Sequence, residues 1–422
     1  MSSILIKNAK YIITPNKVLK NKNILIEDDT IVSFNETDTS DHVIDGSNSI
    51  VTPGLINAHT HAAMSLFRGY ADDLPLKEWL ERKILPVEAK LKPEDIHLGT
   101  LLSCVEMIKS GTTSFVDMYY DVKSVVKAVQ KIGMRACVSE VVTDNFDRDL
   151  RETAIKKSKE ALNYVKSLND PKIIPSIAPH SLYTCSQNLY LDLKDMAMEH
   201  QVKMHTHLAE TKQEEADVYK IYSLKPFEVM QKMRMLGPEF ILAHCVWLTK
   251  ENIMDIADSG SYVVHNPVSN LKLGSGIAPA NDLMHANAKL CLGTDGSASN
   301  NTVDMFETMK MTSILHKGND LNPIATPAHR VIEAATTNAA GIFNIDNRIA
   351  KGGVGDLVLI DIRKPHLQPL INPVSQIVYS AKSTDVNTVI IDGRIVMKNR
   401  KIPGIDEEQL YQDVEKTVKR LI

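Results

Sequence analysis

The sequence lacks the long apolar run that a membrane-spanning helix needs, which argues against a membrane protein. The first fifteen residues have too short an apolar stretch, and too many polar side chains, for a signal peptide, so we expect a cytoplasmic protein. Lysine and arginine are scattered along the chain rather than gathered into a stripe, and the formal net charge is −4. Because this charge pattern offers no basic surface to a polyanion, we expect no nucleic acid as a partner.

Cysteine is scarce, and its pattern does not suit a disulfide framework. The five cysteines include no Cys-x-x-Cys pair, and their number is odd. This pattern favours buried, reduced thiols over disulfides or a zinc finger. Low-complexity segments and short-period repeats are also absent. The composition, 43% hydrophobic and 24% charged over 422 residues, is that of an ordinary soluble globular protein.

What the sequence does contain is an alternation of short apolar runs with longer amphipathic stretches. The runs are apolar on both faces, as in the strands of a covered parallel sheet. The stretches between them predict helices, for example 92–110 and 186–200, which Ser186 opens. This α/β pattern favours a (β/α)8 barrel, although a doubly wound sheet uses the same alternation. The eight predicted strands are 50–58, 112–118, 135–142, 173–179, 202–208, 240–246, 261–266 and 288–293.

Both ends of the chain have a different pattern, with short strand-like runs separated by turns. The Asp-Gly pair at 392–393 predicts a hairpin between two of them. We therefore predict one small β-sandwich domain assembled from both termini. The strand-like runs near the N-terminus are 4–7, 11–13, 23–27 and 30–33. The predicted boundaries are 1–52 and 351–422 for the two parts of the β domain and 53–350 for the barrel.

The most informative stretch is Gly-Leu-Ile-Asn-Ala-His-Thr-His at 54–61, at the end of the first predicted barrel strand. Side chains two apart in a strand share a face, so His59 and His61 project toward one point. Imidazole is the commonest metal ligand among side chains. An isolated His-x-His is as consistent with two surface histidines. The interpretation therefore depends on the other strand ends.

Later strand ends supply more metal-ligand types, in His207, His244 and Asp295. Together with the first pair, they predict a catalytic divalent metal with an open coordination position. His205 faces the same way as His207 but lies further from the strand end, so we expect it behind the ligands. Glu210 follows as a proton shuttle, or alternatively as a surface acid that opens the next helix.

The other histidines have weaker claims. His265 also lies at a strand end and is a borderline candidate. Five others fall in helical stretches, and we expect surface or structural roles for them. They are His97, His200, His285, His316 and His329.

Several motifs together resemble the amidohydrolase superfamily over nearly the whole chain. One longer motif narrows the resemblance to the 5′-methylthioadenosine/S-adenosylhomocysteine deaminases and, within them, to the 5′-deoxyadenosine deaminases of methanogenic archaea. That motif is Phe67-Arg-Gly-Tyr-Ala-Asp-Asp-Leu-Pro-Leu-Lys-Glu-Trp-Leu. The superfamily motifs are Pro53-Gly-Leu-Ile-Asn-Ala-His-Thr-His, His207-Leu-Ala-Glu-Thr, Ala243-His-Cys, Val264-His-Asn-Pro-Val-Ser-Asn-Leu-Lys-Leu and Gly293-Thr-Asp-Gly.

The resemblance implies a metal site and its chemistry. His59, His61, His207 and Asp295 would hold one divalent metal, zinc by preference, with iron or manganese as alternatives. Asp295 would also contact the substrate and take the proton of the attacking water, and His244 would orient that nucleophile. Members with two metals bridge them by a modified lysine at the end of the fourth strand. Residues 173–180 end without a lysine, so the resemblance implies a mononuclear site.

The resemblance also implies residues that bind the substrate. Glu88 matches a glutamate that holds the ribose, and His180 matches a histidine that contacts the substrate. Glu210 matches the residue that addresses the purine ring. The family meets the 5′ substituent with arginines in the loop after the third strand. Here Arg148 and Arg151 are the candidates.

The activity that the resemblance implies is hydrolytic deamination of 5′-modified adenosine nucleosides to inosine analogues and ammonia. The expected substrates are 5′-deoxyadenosine, 5′-methylthioadenosine and S-adenosylhomocysteine, with adenosine as a further candidate. Relatives are often homotetramers. Two alternatives stay open: a free-base deaminase (for guanine) or triazine hydrolase of the same superfamily, and a non-catalytic scaffold without metal. Glu88 argues against the first alternative, since a free base has no ribose, and the intact ligand set argues against the second.

Overall fold

A computed structural model describes residues 3–35 and 39–422 of the chain. Residues 1, 2 and 36–38, which belong to the predicted segment 1–52, lie outside the described residues. The strands form two eight-stranded sheets. One is the predicted barrel, and the other is a separate sheet built from both ends of the chain, so the predicted α/β architecture is confirmed. In the described part of the chain, no helix has the length and apolarity to cross a membrane.

The terminal sheet joins five N-terminal strands to three C-terminal ones. Its spatial order is β16-β15-β14-β5-β1-β2-β3, and β4 pairs with β1. The predicted runs 4–7 and 11–13 are in fact one strand, because a bulge after Ile6 lets the chain continue through Asn8, whose φ is 55°. The strands are β1 Ser3–Ile13, β2 Val18–Glu27, β3 Thr30–Ser33, β4 His42–Asp45, β5 Ser49–Pro53, β14 Leu357–Asp361, β15 Val386–Ile391 and β16 Arg394–Met397. The predicted hairpin at 392–393 joins the last two.

The barrel contains eight strands that pair in parallel in chain order. Its first and last strands meet through Asn57, whose side chain donates to Thr294 Oγ1 at 2.7 Å and accepts from the Thr294 backbone N–H at 3.0 Å. These bonds bring the two edges of the sheet together. The strands are β6 Leu55–Thr60, β7 Thr112–Tyr119, β8 Arg135–Val142, β9 Ile173–Pro179, β10 Lys203–Leu208, β11 Phe240–His244, β12 Tyr262–His265 and β13 Lys289–Leu292.

The predicted run 50–58 is divided between the two sheets. Its first part is β5, which pairs with β14, and its second part is β6. Gly54 stands at the change of sheet, where a Cβ would lie 2.1 Å from Thr113 Oγ1. An apolar run alone does not reveal this division, since both halves are fully buried. The predicted boundary at residues 52–53 thus falls at the end of β5, and the one at 350–351 falls between the last barrel helices and β14.

Helices alternate with the barrel strands along the chain. The predicted helices 92–110 and 186–200 are α3 and α6, and Ser186 Oγ accepts from the Leu189 backbone N–H at the start of α6. The helices are α1 Leu76–Glu78, α2 Leu85–Glu88, α3 Pro93–Lys109, α4 Val122–Ile132, α5 Arg148–Ser167, α6 Gln187–His200, α7 Lys212–Tyr222, α8 Pro226–Lys232, α9 Lys250–Ser259, α10 Pro267–Lys272, α11 Ala280–His285, α12 Ser297–Asn300, α13 Met305–Asn319, α14 Ala328–Ala335, α15 Thr337–Ala340, α16 Pro373–Tyr379 and α17 Glu407–Leu421.

Candidate active site

Five side chains from four barrel strands meet at the carboxyl ends of those strands. We call His59, His61, His207, His244 and Asp295 the strand-end cluster. His61 Nε2 lies 3.2 Å from Asp295 Oδ1 and 3.3 Å from His207 Nε2, and His59 Nε2 lies 3.5 Å from the same Asp295 oxygen. Tetrahedral ligands with metal bonds of 2.0–2.1 Å stand about 3.4 Å apart. The four atoms therefore fit around one metal ion.

Hydrogen bonds to backbone carbonyls fix the orientation of two rings in the cluster. His61 Nδ1 lies 2.6 Å from the Met118 carbonyl oxygen, and His207 Nδ1 lies 2.8 Å from the His180 carbonyl oxygen. A carbonyl only accepts, so each Nδ1 carries the proton and each Nε2 keeps its lone pair. This is the tautomer that a metal ligand requires, with the outer nitrogen held by the protein.

His59 presents an orphaned nitrogen to the cluster. The side chain is fully buried, and its Nε2 has no hydrogen-bond partner among the described residues. Its Nδ1 lies 2.9 Å from His205 Nε2. A buried nitrogen without a partner is costly unless a ligand satisfies it, and a metal ion would do so. The structure places His205 behind His59 and places His207 in the cluster.

Asp295 is held by two serine hydroxyls that sequence reasoning missed. Ser269 Oγ and Ser299 Oγ donate to Asp295 Oδ2 at 2.6 and 2.7 Å, which leaves Oδ1 facing the histidines. Burial alone would raise the pKa of Asp295, but the adjacent rings of His59 and His61 hold it well below its usual value. The carboxylate is therefore ionised, and its Oδ1 points toward the histidines. The predicted strand end at 261–266, followed by Pro-Val-Ser, was the available signal for Ser269.

Two members of the cluster have a left-handed backbone. The φ angles are 72° at His244 and 63° at Asp295. Such conformations cost on the order of 1–3 kcal/mol outside glycine, and they concentrate at functional sites. His244 Nδ1 also lies 2.8 Å from Asn270 Oδ1, so its Nδ1–H donates to the amide and its Nε2 faces the cluster. Packing in the barrel therefore stabilises a backbone conformation that these two residues rarely adopt by themselves.

Glu210 lies beside the cluster, on a turn held by a second glutamate. Glu210 is 8% exposed, and its Oε2 is 4.0 Å from His244 Nε2. Glu214 accepts from the backbone N–H groups of Ala209 and Glu210 at 3.0 and 2.7 Å. Burial raises the pKa of Glu210, and it raises the pKa of Glu214 to about 7. Sequence reasoning missed Glu214, whose first-turn position on α7 looks like an ordinary helix start.

A cavity of about 290 Å³ opens above the strand-end cluster. Residues 62–91, which we call the covering segment, form one wall of this cavity. Glu88 is the carboxylate that this segment contributes. Glu88 Oε1 accepts from Tyr119 Oη at 2.7 Å, and burial raises the pKa of Glu88, although this hydrogen bond limits the rise. His180 also lines the cavity, and its Nδ1 lies 2.9 Å from Thr184 Oγ1. The structure thus brings Glu88, His180 and Glu210 into one cavity with the cluster; Tyr119 was missed by sequence reasoning.

The two arginines after the third barrel strand do not reach this cavity. Arg148 is exposed and pairs with Glu152 on α5. Arg151 Nε donates to Asp192 Oδ2 at 2.7 Å. The start of α5 at Arg148 turns both side chains away, so the structure does not support the prediction that they meet the 5′ substituent.

The borderline histidine lies outside the cavity wall. His265 is buried, and its Nε2 is 3.3 Å from Nε2 of His316 on α13. His316, expected at the surface or in a structural role, is itself 1% exposed. Both rings are packed between β12 and α13, so their place in the structure is that of core side chains.

The amidohydrolase family model matches residues 50–396 of the chain. The 5′-deoxyadenosine deaminase of Methanocaldococcus jannaschii is 43% identical, covering 94% of this chain and 96% of its own. The 5-methylthioadenosine/S-adenosylhomocysteine deaminase of Dictyoglomus turgidum is 42% identical and covers 99% of both chains. An adenosine deaminase structure from Xanthomonas campestris, with bound zinc, superposes with a TM-score of 0.94 at 31% identity, over 100% of this chain and 98% of its own. The chain therefore belongs to the amidohydrolase family.

Proposed function

We propose that this protein hydrolyses the 6-amino group of 5′-modified adenosine nucleosides, releasing ammonia and the inosine analogue. The observation that carries the proposal is one cavity lined by four members of the strand-end cluster, by Glu210 and by Glu88. These groups match three needs of the reaction: a nucleophile, an acid for the purine and a partner for the ribose. The names of the two relatives above 40% identity support the same class of substrate.

His59, His61, His207 and Asp295 would hold one divalent metal, which we propose to be zinc, with iron and manganese as alternatives. Such a metal supplies a nucleophile at neutral pH, because it lowers the pKa of water from 15.7 to about 7. Two observations support this set of ligands. The four ligand atoms have the spacing that one metal ion requires, and His59 Nε2 has no hydrogen-bond partner among the described residues. Elemental analysis of the purified protein by mass spectrometry would identify the metal and its stoichiometry.

Glu210 and the cluster divide the proton transfers. Glu210 gives its proton to N1 of the purine, which makes C6 electrophilic, and its raised pKa keeps that proton available. Asp295 takes one proton from the attacking water, while His244 Nε2 orients the oxygen toward C6. The tetrahedral carbon then collapses. The proton on Asp295 goes to the amino group, which leaves as ammonia, and the remaining hydroxyl proton restores the Glu210 acid.

Glu88 supplies the ribose contact. A carboxylate accepts from both the 2′- and the 3′-hydroxyl, and Tyr119 occupies only part of its accepting capacity. This carboxylate argues against a free base or a triazine as substrate, because neither has ribose hydroxyl groups to donate to it.

An absorbance assay across 5′-deoxyadenosine, methylthioadenosine, S-adenosylhomocysteine, adenosine, adenine and guanine tests the proposal. Turnover of a free base as fast as any nucleoside would contradict it, and a protein that binds no metal and turns over none of the six would favour the scaffold.

We also propose a homotetramer, which the family resemblance implies. The described surface bears large apolar side chains that a monomer leaves in water, such as Leu321 and Ile324, which are 91% and 78% exposed. Light scattering after size-exclusion chromatography measures the assembly, and a mass of one chain would contradict this proposal.

A further inference from the structure

The turn that carries Glu210 has a strained backbone. It lies between β10 and α7, and the backbone of Ala209 is left-handed there, with a φ of 50°. Residues other than glycine rarely adopt this conformation, because the Cβ crowds the following carbonyl oxygen. The direction in which Glu210 leaves the turn therefore depends on contacts that hold Ala209 in place.

Glu214 provides these contacts on one side of the turn. Its Oε1 accepts from the Ala209 backbone N–H at 3.0 Å, and its Oε2 accepts from the Glu210 backbone N–H at 2.7 Å. Glu214 is only 3% exposed, and among the described residues it forms no ion pair with a lysine or an arginine. A buried carboxylate needs partners, and here each oxygen holds one of two consecutive N–H groups of the turn.

The sequence alone would place the Glu214 carboxylate elsewhere. Thr211-Lys-Gln-Glu214 has the spacing of a capping box, in which the glutamate accepts from the backbone N–H of the threonine. One half of this motif forms, because Thr211 Oγ1 accepts from the Glu214 backbone N–H at 3.0 Å. Instead of forming the other half, the carboxylate reaches back to the N–H groups of residues 209 and 210. The side chain of Glu214 thus supports the turn rather than the start of the helix.

The end of β11 holds the other side of the same turn. The backbone N–H groups of Val246 and Trp247 donate to the Ala209 carbonyl oxygen at 2.9 and 3.0 Å. They follow His244, whose Nε2 lies 4.0 Å from Glu210 Oε2. Because both polar groups of the Ala209 backbone are bound, the turn joins Glu210 to the strand end that carries His244.

We propose that Glu214 is a positioning residue for the deamination, which holds the backbone of Glu210 so that the Glu210 carboxyl group faces the purine. Glu214 is not among the described residues that line the cavity, so it acts through Glu210. A displacement of about 1 Å at a reacting group can cost about a hundredfold in rate. This inference rests on the proposed nucleoside deaminase function.

The test measures kcat, KM and metal content for Glu214→Gln. The amide keeps one accepting oxygen but turns its NH₂ group toward a second N–H donor, so one of the two bonds to the turn is lost. We expect kcat for 5′-deoxyadenosine to fall about tenfold to hundredfold, while KM stays within about twofold of the wild type and the metal is retained. An unchanged kcat, or a fall that accompanies loss of the metal, would overturn the inference.

A second variant covers the case in which Glu214→Gln does not fold. Glu214→Asp keeps the buried charge, but its side chain is one methylene shorter and does not reach both N–H groups. We expect a fall in kcat of the same order, and a wild-type kcat in Glu214→Asp would overturn the inference.

Two comparisons separate positioning from a merely structural role. In the Glu210→Gln background, Glu214→Gln should lower kcat by no more than about a further twofold, because the group that it positions is already gone. Thr211→Ala removes the other bond at the start of α7, so it should lower the stability in urea and leave kcat within about twofold of the wild type. Losses that multiply in the double variant, or an equal loss of kcat in Thr211→Ala, would overturn the inference.

Failure of this inference is distinguishable from failure of the proposed function. A metal-loaded wild type that turns over no nucleoside would overturn the deaminase proposal and this inference with it. A wild type that deaminates 5′-deoxyadenosine, together with a folded Glu214→Gln enzyme of equal kcat, would overturn only the role of Glu214.

Discussion

The strand-end cluster and the covering segment both line one cavity, and they are built in different ways. In the cluster, four of the five side chains are at most 6% exposed, and each comes from a strand end. The covering segment consists of a 3-10 turn at Ala62–Phe67, a π-helical turn at Trp79–Ile84 and two short helices, and Leu85 in it is 42% exposed. On the proposed roles, the reacting groups therefore lie on the barrel strands and the ribose contact lies on the less regular covering segment.

The two regions are also attached differently. The cluster is tied by hydrogen bonds inside the barrel, including those of Ser269 and Asn270 to Asp295 and His244. The covering segment starts where buried Asp117 accepts from the Ala62 backbone N–H at 2.7 Å. Further along, partly exposed ion pairs fasten it. Loss of a cluster residue should therefore abolish the reaction, whereas loss of an ion pair of the covering segment should change only the affinity for the substrate.

Removing a ligand should have the largest effect. We expect His207→Ala to lose stoichiometric metal and to reduce deamination to background, because the substitution removes one of four ligand atoms. Removal of the metal from the wild-type enzyme with a chelator should have the same result. Metal content by mass spectrometry and initial rate are the two measurements.

The two neighbouring histidines are the controls for this change. His205→Asn alters the ring behind His59 and should affect metal content much less. His200→Ala, on α6, should be neutral. Metal-free His207→Ala protein with wild-type activity would sink the metal assignment, and a greater loss of metal in His205→Asn would show that the ligand is His205.

Glu210→Gln should keep the metal and lose the proton donor. General acid–base groups contribute about 10²–10⁴-fold in rate, so we expect kcat to fall by that amount. Glu215→Gln, five residues further on α7, is the matched control and should change kcat little, since its side chain pairs with Lys225. If Glu210→Gln retains more than a tenth of the wild-type kcat, Glu210 is a bystander.

A side chain added beside the cluster should destabilise the barrel. A Cβ at Gly293 would lie 2.5 Å from Asn266 Oδ1 and 3.0 Å from His59 Cβ. Overpacking of this kind typically costs about 1–3 kcal/mol. We expect Gly293→Ala to lower the free energy of unfolding in urea by that amount. Gly318→Ala, where an added Cβ has open space, should be neutral or slightly stabilising, and equal effects of the two would contradict the idea of a tightly packed cluster.

Changes on the covering segment should act on selectivity. Glu88→Ala removes the proposed partner of the ribose hydroxyls, so it should narrow the gap in kcat/KM between 5′-deoxyadenosine and its 2′,3′-dideoxy analogue. In the wild type we expect that gap to correspond to about 1–3 kcal/mol, the penalty for leaving a buried charged group without its partners. Tyr119→Phe is the control, because it removes the protein hydrogen bond to Glu88 and keeps the carboxylate. An unchanged gap in Glu88→Ala would remove Glu88 from the ribose.

The sequence predicted the cluster well for a physical reason. In a parallel barrel, residues at strand ends are brought to one rim by topology, so His59, His207 and Asp295 are predictable as neighbours without knowledge of distances. The division of 50–58 at Gly54 was not predictable from hydrophobicity, since both halves are buried. The strands β5 and β6 are equally buried, and only their pairing differs.

Supporting contacts were not predictable for a different reason. Tyr119 and Glu88 are 31 positions apart, and Ser269 and Asp295 are 26 apart, and each pair meets through packing of a short turn on a strand end. The direction of Arg151 depends on Asp192 of the next helix, to which no sequence motif pointed. Such details depend on three-dimensional packing rather than on strand order.

The smallest effect should come from the ion pair that fastens the covering segment. Lys272 Nζ donates to Asp72 Oδ1 at 2.6 Å and also contacts Asn301 Oδ1, so it joins the segment to α10 and α12. Lys272→Met should raise KM for 5′-deoxyadenosine about twofold to fivefold and leave kcat nearly unchanged, because a partly exposed pair contributes no more than about 1 kcal/mol. Added salt should screen this ion pair and so raise the wild-type KM toward that of Lys272→Met. Lys310→Met, on an exposed face of α13, is the control. A fall in kcat to the level of Glu210→Gln would show that the covering segment shapes the reacting groups themselves, and the contrast between the two walls would no longer hold.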